Sequence, residues 1–205
     1  MTTCAEWRQL PDGGAPEIAF AGRSNAGKSS AINALAQQTR LAFVSKTPGR
    51  TQNINYFRMR SGALLADLPG YGYAKVPEAM RQHWQQFLAR YLAERVPLVG
   101  MVLVMDARHP FTELDHRMLA WFLPTGRNLH ILLTKADKLP AREQRATLAS
   151  VRDTLARDYG LHVAQTGAQL FSASRRLGLD EAESAVGAWL NQAPANKERP
   201  RHQGE

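Results

Sequence analysis

Residues 22–29 read Gly-Arg-Ser-Asn-Ala-Gly-Lys-Ser, a complete G-x-x-x-x-G-K-[ST] phosphate loop. This string constrains the fold more than any other feature, because such a loop works only between a strand and a helix whose N-terminus faces an anion. The flanks agree with that demand. Glu17-Ile18-Ala19-Phe20-Ala21 is a short apolar run with the pattern of a buried strand, and Ile32 and Leu35 stand at helical spacing after the loop. Gly22 and Gly27 let the backbone curl so that successive N–H groups point inward. The loop from Gly22 through Arg23, Ser24, Asn25, Ala26, Gly27, Lys28 and Ser29 to Ser30 is therefore the candidate phosphate site. Lys28 supplies a point charge to the β- and γ-phosphates, and the Ser29 hydroxyl is a Mg²⁺ ligand.

Three further strings close strand-like segments downstream. Asp67-Leu68-Pro69-Gly70 follows Ala63–Ala66. It offers a carboxylate for Mg²⁺ at Asp67 and a backbone N–H for a γ-phosphate at Gly70. Thr134-Lys135-Ala136-Asp137 follows Leu129–Leu133 and matches the [NT]-K-x-D pattern of guanine recognition. The Asp137 carboxylate can accept hydrogen bonds from guanine N1–H and the N2 amine. Adenine offers neither donor there and would leave a buried carboxylate unpaired. Lys135 can lie along the base. Phe171-Ser172-Ala173-Ser174 ends another strand, and its backbone N–H groups at Ser172 and Ala173 are placed for guanine O6. The intervals from Lys28 to Asp67, Asp67 to Asp137 and Asp137 to Ser172 are 39, 70 and 35 residues, each room for one or two βα units.

The strings Gly22–Ser30, Thr47-Pro-Gly-Arg-Thr-Gln52, Asp67-Leu-Pro-Gly-Tyr-Gly-Tyr-Ala74 and Thr134–Asp137 resemble the EngB/YsxC/YihA-type GTPases within the Era/EngA/TrmE-like group. The resemblance runs from about residue 17 to about residue 190. It implies a G domain that binds GTP and GDP with Mg²⁺ and hydrolyses GTP slowly. It also implies a switch role in large ribosomal subunit assembly, needed for growth and for division or septation. It adds Gly49, Arg50 and Thr51 to the nucleotide site. Both Thr47 and Thr51 lie in the loop before the second strand, and the family motif favours Thr51 as the switch residue that reaches Mg²⁺ and the γ-phosphate. Lys28 and Thr51 are then the residues expected to act on the phosphate. Tyr71 stands where many GTPases carry a water-positioning Gln. Intrinsic turnover is thus expected at or below ~10⁻⁴ s⁻¹, and no side chain can be named as general base. Asn25 has two readings: a ligand of K⁺ beside the phosphates, as in relatives, or a residue that stabilises the turn. Arg50 as an arginine finger in cis is the weaker alternative to a solvent or RNA contact.

Composition narrows the setting. The 205 residues suit one domain, and no run of 18 apolar residues suggests a membrane span. One cysteine, Cys4, excludes an internal disulfide and suits a reducing cytoplasm; it reads as an incidental thiol on a loose end. The six histidines show no metal spacing. The net charge is +8, and from Arg40 to Arg60 there are five basic residues (Arg40, Lys46, Arg50, Arg58, Arg60) and no acid. That face suits RNA phosphate, although charge alone does not separate RNA from an acidic protein surface.

The chain divides into a flexible extension at 1–16, a GTP-binding domain at 17–190 and a disordered tail at 191–205. The alternation predicts a strand at 17–21, a helix at 28–38 and a polar loop at 41–52. A hairpin follows, pairing 53–60 with 63–67. Then come a helix from Pro77 to about Glu94, a strand at 98–105, a helix at 112–123, a strand at 129–133, a helix at 142–159, a strand region at 161–171 and a helix at 180–190. This is an α/β fold of the P-loop NTPase type. Its sheet is mostly parallel and six-stranded with one antiparallel edge strand, helices cover both faces, and the ligand lies at the strands' carboxyl ends. Trp84, Phe87 and Tyr91 read as core rather than as an RNA-stacking platform. Two other functions remain to be weighed. A nucleotide kinase would need an Arg-rich lid and would lack the guanine reader. A division-site scaffold on the membrane would need a free amphipathic basic helix, for which 80–95 is the best candidate. A monomer with no membrane contact is expected.

Overall fold

The computed structural model describes residues 2–36, 53–70, 78–160 and 166–192. The chain runs β1 (Thr2–Cys4), β2 (Glu17–Gly22), α1 (Lys28–Leu35), β3 (Ile54–Arg58), β4 (Leu64–Asp67), α2 (Glu78–Glu94), β5 (Leu98–Asp106), α3 (Glu113–Phe122), β6 (Asn128–Thr134), α4 (Ala141–Tyr159), β7 (Thr166–Leu170) and α5 (Leu179–Gln192). The strands form one sheet in the order β1-β3-β4-β2-β5-β6-β7. From β4 across to β7 every pairing is parallel, whereas β3 runs against both β4 and β1.

Among the described residues the sheet has seven strands, not the six expected, and the strand that runs against the rest is one place in from the edge. The added strand is Thr2–Cys4, which pairs with Tyr56, Asn55 and Ile54. Three residues are too few to show a two-residue period, so nothing in the local sequence marks them as a strand. The segment taken for a flexible extension therefore begins in the sheet and continues into a short 3-10 turn at Trp7–Gln9. Cys4 is not on a loose end: it is fully buried, its thiol donates to the Gln9 carbonyl at 2.9 Å, and burial pushes its pKa up. An unreactive thiol follows.

Strand alternation sorts the core onto two faces. Along β5, Met101, Leu103 and Met105 pack with α2, α3 and α4, while Val102 and Val104 pack with α1 and α5. The hairpin divides in the same way, Ile54 and Tyr56 to one side and Phe57 and Met59 to the other. Phe87, Leu88, Tyr91 and Leu92 of α2 are buried in the first core, as expected for Phe87 and Tyr91. At the amino end of the sheet the Glu17 carboxylate is fully buried. It accepts from Tyr56 Oη at 3.1 Å, Tyr91 Oη at 3.0 Å and Arg95 Nε at 3.1 Å. This cluster ties the C-terminal end of α2 to β2 and β3. Arg127 donates to the carbonyls of Leu92 at 2.6 Å and Arg95 at 3.2 Å, covering orphan acceptors at the same helix end. The tail at 193–205 and the segments 37–52 and 71–77 lie outside the described residues.

Candidate nucleotide site

All the motif residues that are described gather at the carboxyl ends of β2, β4, β5, β6 and β7. The phosphate loop leaves β2 at Gly22, where a Cβ would come within 2.7 Å of the Val104 carbonyl, so the absent side chain lets β2 lie against β5. The curl itself falls at Asn25 and Gly27, both left-handed with φ of 62° and 97°. Asparagine tolerates this region better than most residues, which fits the turn reading of Asn25. Gly27 caps α1, and the Ala31 N–H donates to its carbonyl at 2.9 Å. Lys28, Ser29 and Ser30 form the first turn of that helix.

Lys28 Nζ forms an ion pair with Asp67 Oδ1, which holds the tip of the phosphate loop against the end of β4. The two side chains are only about one-tenth exposed, at 11% and 12%. A buried ammonium and a buried carboxylate at one point are the two charges that a metal–phosphate pair requires. The Ser29 hydroxyl one residue on supplies the hard oxygen that Mg²⁺ prefers, so the donor set fits Mg²⁺. Gly70 follows Asp67 within the described chain. Gly49, Arg50 and Thr51 lie outside the described residues, as do Thr47 and Tyr71.

The guanine end is built by cross-ties between loops. Thr134 Oγ1 donates to the carbonyls of Ala26 and Met105, the latter at 3.0 Å, so it fastens the phosphate loop to the ends of β5 and β6. Lys135 is left-handed at φ 56°, and its ammonium reaches back to the Asn25 carbonyl at 2.6 Å and Asp106 Oδ2 at 2.9 Å. Asp137 Oδ1 accepts from the Ser172 hydroxyl at 2.6 Å. That bond is the main reason its carboxyl lies below the usual range, so it is ionised and acceptor-only at neutral pH. Ser172 also receives the Arg175 N–H at 3.2 Å, and the Ala136 N–H donates to the Phe171 carbonyl at 3.2 Å. Ala173 follows Ser172 and is half-buried. The result is an ionised carboxylate with one oxygen held by Ser172.

Asp106, the last residue of β5, belongs to this site although no motif pointed to it. Burial alone would raise its pKa. Hydrogen bonds from Arg108, through Nε at 2.9 Å and the backbone N–H at 3.1 Å, and from Lys135 more than reverse that, and its carboxyl lies well below the ordinary carboxylate range. The only sequence signal was an acid closing an otherwise apolar strand. Among the described residues, no group of three or more His, Cys, Asp or Glu is placed to hold a metal.

Comparison with known proteins agrees with this geometry. A family model described as 50S ribosome-binding GTPase matches residues 17–135. "Probable GTP-binding protein EngB" of Aromatoleum aromaticum is 59% identical over 181 residues, covering 88% of this chain and 82% of the relative. The protein of the same name from Neisseria meningitidis serogroup B is 54% identical over 201 residues, covering 98% and 94%. Among solved structures, a probable GTP-binding protein engB superposes with TM-score 0.67 at 18% identity, covering 85% of this chain and 98% of that one. Era in complex with MgGDPNP and nucleotides 1506–1542 of 16S ribosomal RNA superposes with TM-score 0.65 at 19% identity, covering 90% and 59%. At such identities the structures speak to the fold alone.

Proposed function

The chain belongs to the EngB GTP-binding proteins of the 50S ribosome-binding GTPase family, and we propose that it is a GTP-dependent switch that docks on the large ribosomal subunit or its rRNA precursor. It is a P-loop GTPase that binds GTP and GDP. The finer reading is that the GTP form docks, that hydrolysis is slow and ends the engagement, and that growth and division or septation depend on the cycle. The setting is the cytoplasm and the working form a monomer.

Lys28 holds the β- and γ-phosphates, Ser29, Asp67 and Thr51 hold Mg²⁺, and Gly70 donates to the γ-phosphate. The backbone from Gly22 to Ser30, with Gly49 and Arg50, completes the cradle. Mg²⁺, when bound, would offset the charge of the phosphates. Asp137 reads the guanine edge, Lys135 lies along the base, Thr134 holds the loop, and Ser172 and Ala173 offer N–H groups to O6. The observation that carries this reading is the ionised Asp137, held by Ser172 at the same carboxyl end of the sheet as the Lys28–Asp67 pair. Asn25 is also a candidate K⁺ ligand. Hydrolysis that runs faster in KCl than in NaCl at equal ionic strength, with the difference lost in Asn25→Ala, supports that role, and equal rates leave Asn25 as a turn residue.

The partner is argued from charge. A net charge of +8 and five basic residues without an acid from Arg40 to Arg60 suit a phosphate-rich surface. Sedimentation of lysate with GDP or a non-hydrolysable GTP analogue tests the proposal. Co-migration with large subunits should be stronger with the analogue and fall steeply with salt, and Lys46→Ala with Arg50→Ala should flatten the salt slope. Docking indifferent to both nucleotide and salt would overturn the switch. The scaffold reading fares less well. The apolar residues of α2 from Phe87 to Leu92 are spent on the core, and among the described residues no helix is long and apolar enough to cross a membrane.

A further inference from the structure

Behind the guanine end lies a chain of buried polar groups that the nucleotide reading does not use. His130 on β6 and Gln169 on β7 are buried, at 6% and 1% exposure, on the face that packs against α5. The His130 ring lies over Gly167, where a Cβ would meet Nδ1, and edge-on to Trp189 at 6.4 Å between centroids. His130 Nε2 is 2.7 Å from Gln169 Oε1, and Gln169 Nε2 donates to the Gly178 carbonyl at 2.6 Å. The amide orientation follows from chemistry: a carbonyl can only accept, so the Gln169 nitrogen must face Gly178 and its oxygen must face His130. His130 is then the donor through Nε2–H. Burial lowers its pKa, so the ring is neutral and holds that single tautomer.

Gly178 closes the loop that holds Asp137. It is left-handed at φ 69°, and a Cβ there would come within 2.2 Å of the Leu170 carbonyl, so only glycine fits. Ser172 and Leu177 exchange backbone hydrogen bonds across the loop, at 3.0 and 3.1 Å. Ser172 at the start of the loop is the donor to Asp137. Gly178 at its end is the acceptor for Gln169. We propose that Gln169, oriented by His130, is a positioning residue for guanine specificity: it fixes the 172–178 loop so that Ser172 holds the Asp137 carboxylate at the angle the guanine edge requires. The relay rests on the guanine-reading assignment of Asp137.

The test separates the two. GDP and inosine diphosphate differ by the N2 amine, the second donor to Asp137, so their affinity ratio reports the angle of that carboxylate. The wild-type protein should prefer GDP on the order of tenfold, the worth of one hydrogen bond to a charged group. Gln169→Leu and His130→Leu should each reduce that ratio to about a third or less and speed GDP release. His130→Gln, which keeps a donor toward Gln169, should hold the ratio near wild type. General loosening would weaken both nucleotides alike and would not be rescued by an amide. Should Gln169→Leu fail to fold, Gln169→Met, similar in length but with no donor for Gly178, should show the same fall. No preference for GDP in the wild type overturns the reading of Asp137. A clear wild-type preference that persists unchanged in the folded position-130 and position-169 variants overturns the relay.

Discussion

The two ends of the sheet use the same chemistry for opposite purposes. At the amino end, the Glu17 carboxylate faces Arg95 and two tyrosine hydroxyls, fully enclosed and with every partner on a strand or helix end. At the carboxyl end, Asp67, Asp106 and Asp137 face Lys28, Lys135 and Ser172, and these partners are carried mostly on loops and helix starts, with Asn25 and Lys135 left-handed. Charges locked by regular structure hold the fold together, and charges carried on curled loops remain available to a ligand. Buried Glu17 gives up solvation for four donors, the two tyrosine hydroxyls and Arg95 Nε and Nη2, so losing Arg95 leaves an uncompensated charge. At the nucleotide end, Arg108 and Lys135 hold Asp106, and Ser172 holds Asp137, below the ordinary carboxylate range, so both remain ionised for use.

The largest expected effect breaks the amino end. Arg95→Ala should lower unfolding free energy by about 3–5 kcal/mol, as for any buried pair that loses one member. GDP affinity per folded molecule should stay unchanged. Denaturant titration together with nucleotide binding measures both, and an equal loss in affinity would mean the two ends are coupled. Next is Lys28→Ala at the other end. Loss of a charge-assisted contact should weaken GTP binding by roughly 10- to 150-fold, and the melting temperature should fall as well because Asp67 loses its buried partner. Unchanged affinity would remove Lys28 from the phosphate site. In the same range, Asp137→Asn should move preference from guanine toward xanthine nucleotides, and competition binding reads the exchange.

The smallest effect sharpens the comparison. Asp106→Ala should weaken GDP binding by about threefold to tenfold, through Lys135 rather than by direct contact, as expected for the loss of one ordinary hydrogen bond. Its carboxyl is held below the ordinary range by Arg108 and Lys135, against burial. Its contribution is therefore complete above the unfolded value near ~4 and is lost only as pH falls through the lower folded value. GDP affinity should not change on this account between pH 5 and 8. A drop at pH 5 that is absent in Asp106→Ala would show the carboxylate titrating within the working range.

Order and spacing along the chain were enough for the nucleotide site's plan. A loop that curls around phosphate needs particular residue types at consecutive positions, so Gly22–Ser29, Asp67–Gly70 and Thr134–Asp137 announce their chemistry in short strings. Helical spacing likewise marked the helices, and unbroken apolar runs marked most parallel strands, because a strand covered on both faces is apolar throughout. The rest had no repeat to read. Thr2–Cys4 became a strand only because β3 offered a free edge. Glu17 looked like the polar start of an apolar run until Tyr56, Tyr91 and Arg95, up to 78 residues away in the chain, enclosed it. Asp106 closes an apolar strand and Gln169 lies in a five-residue strand without a motif, and their partners Lys135 and Gly178 reach them only through the folded sheet. A contact between single residues far apart in sequence leaves no local pattern, since its energy exists only once the strands that carry it are side by side.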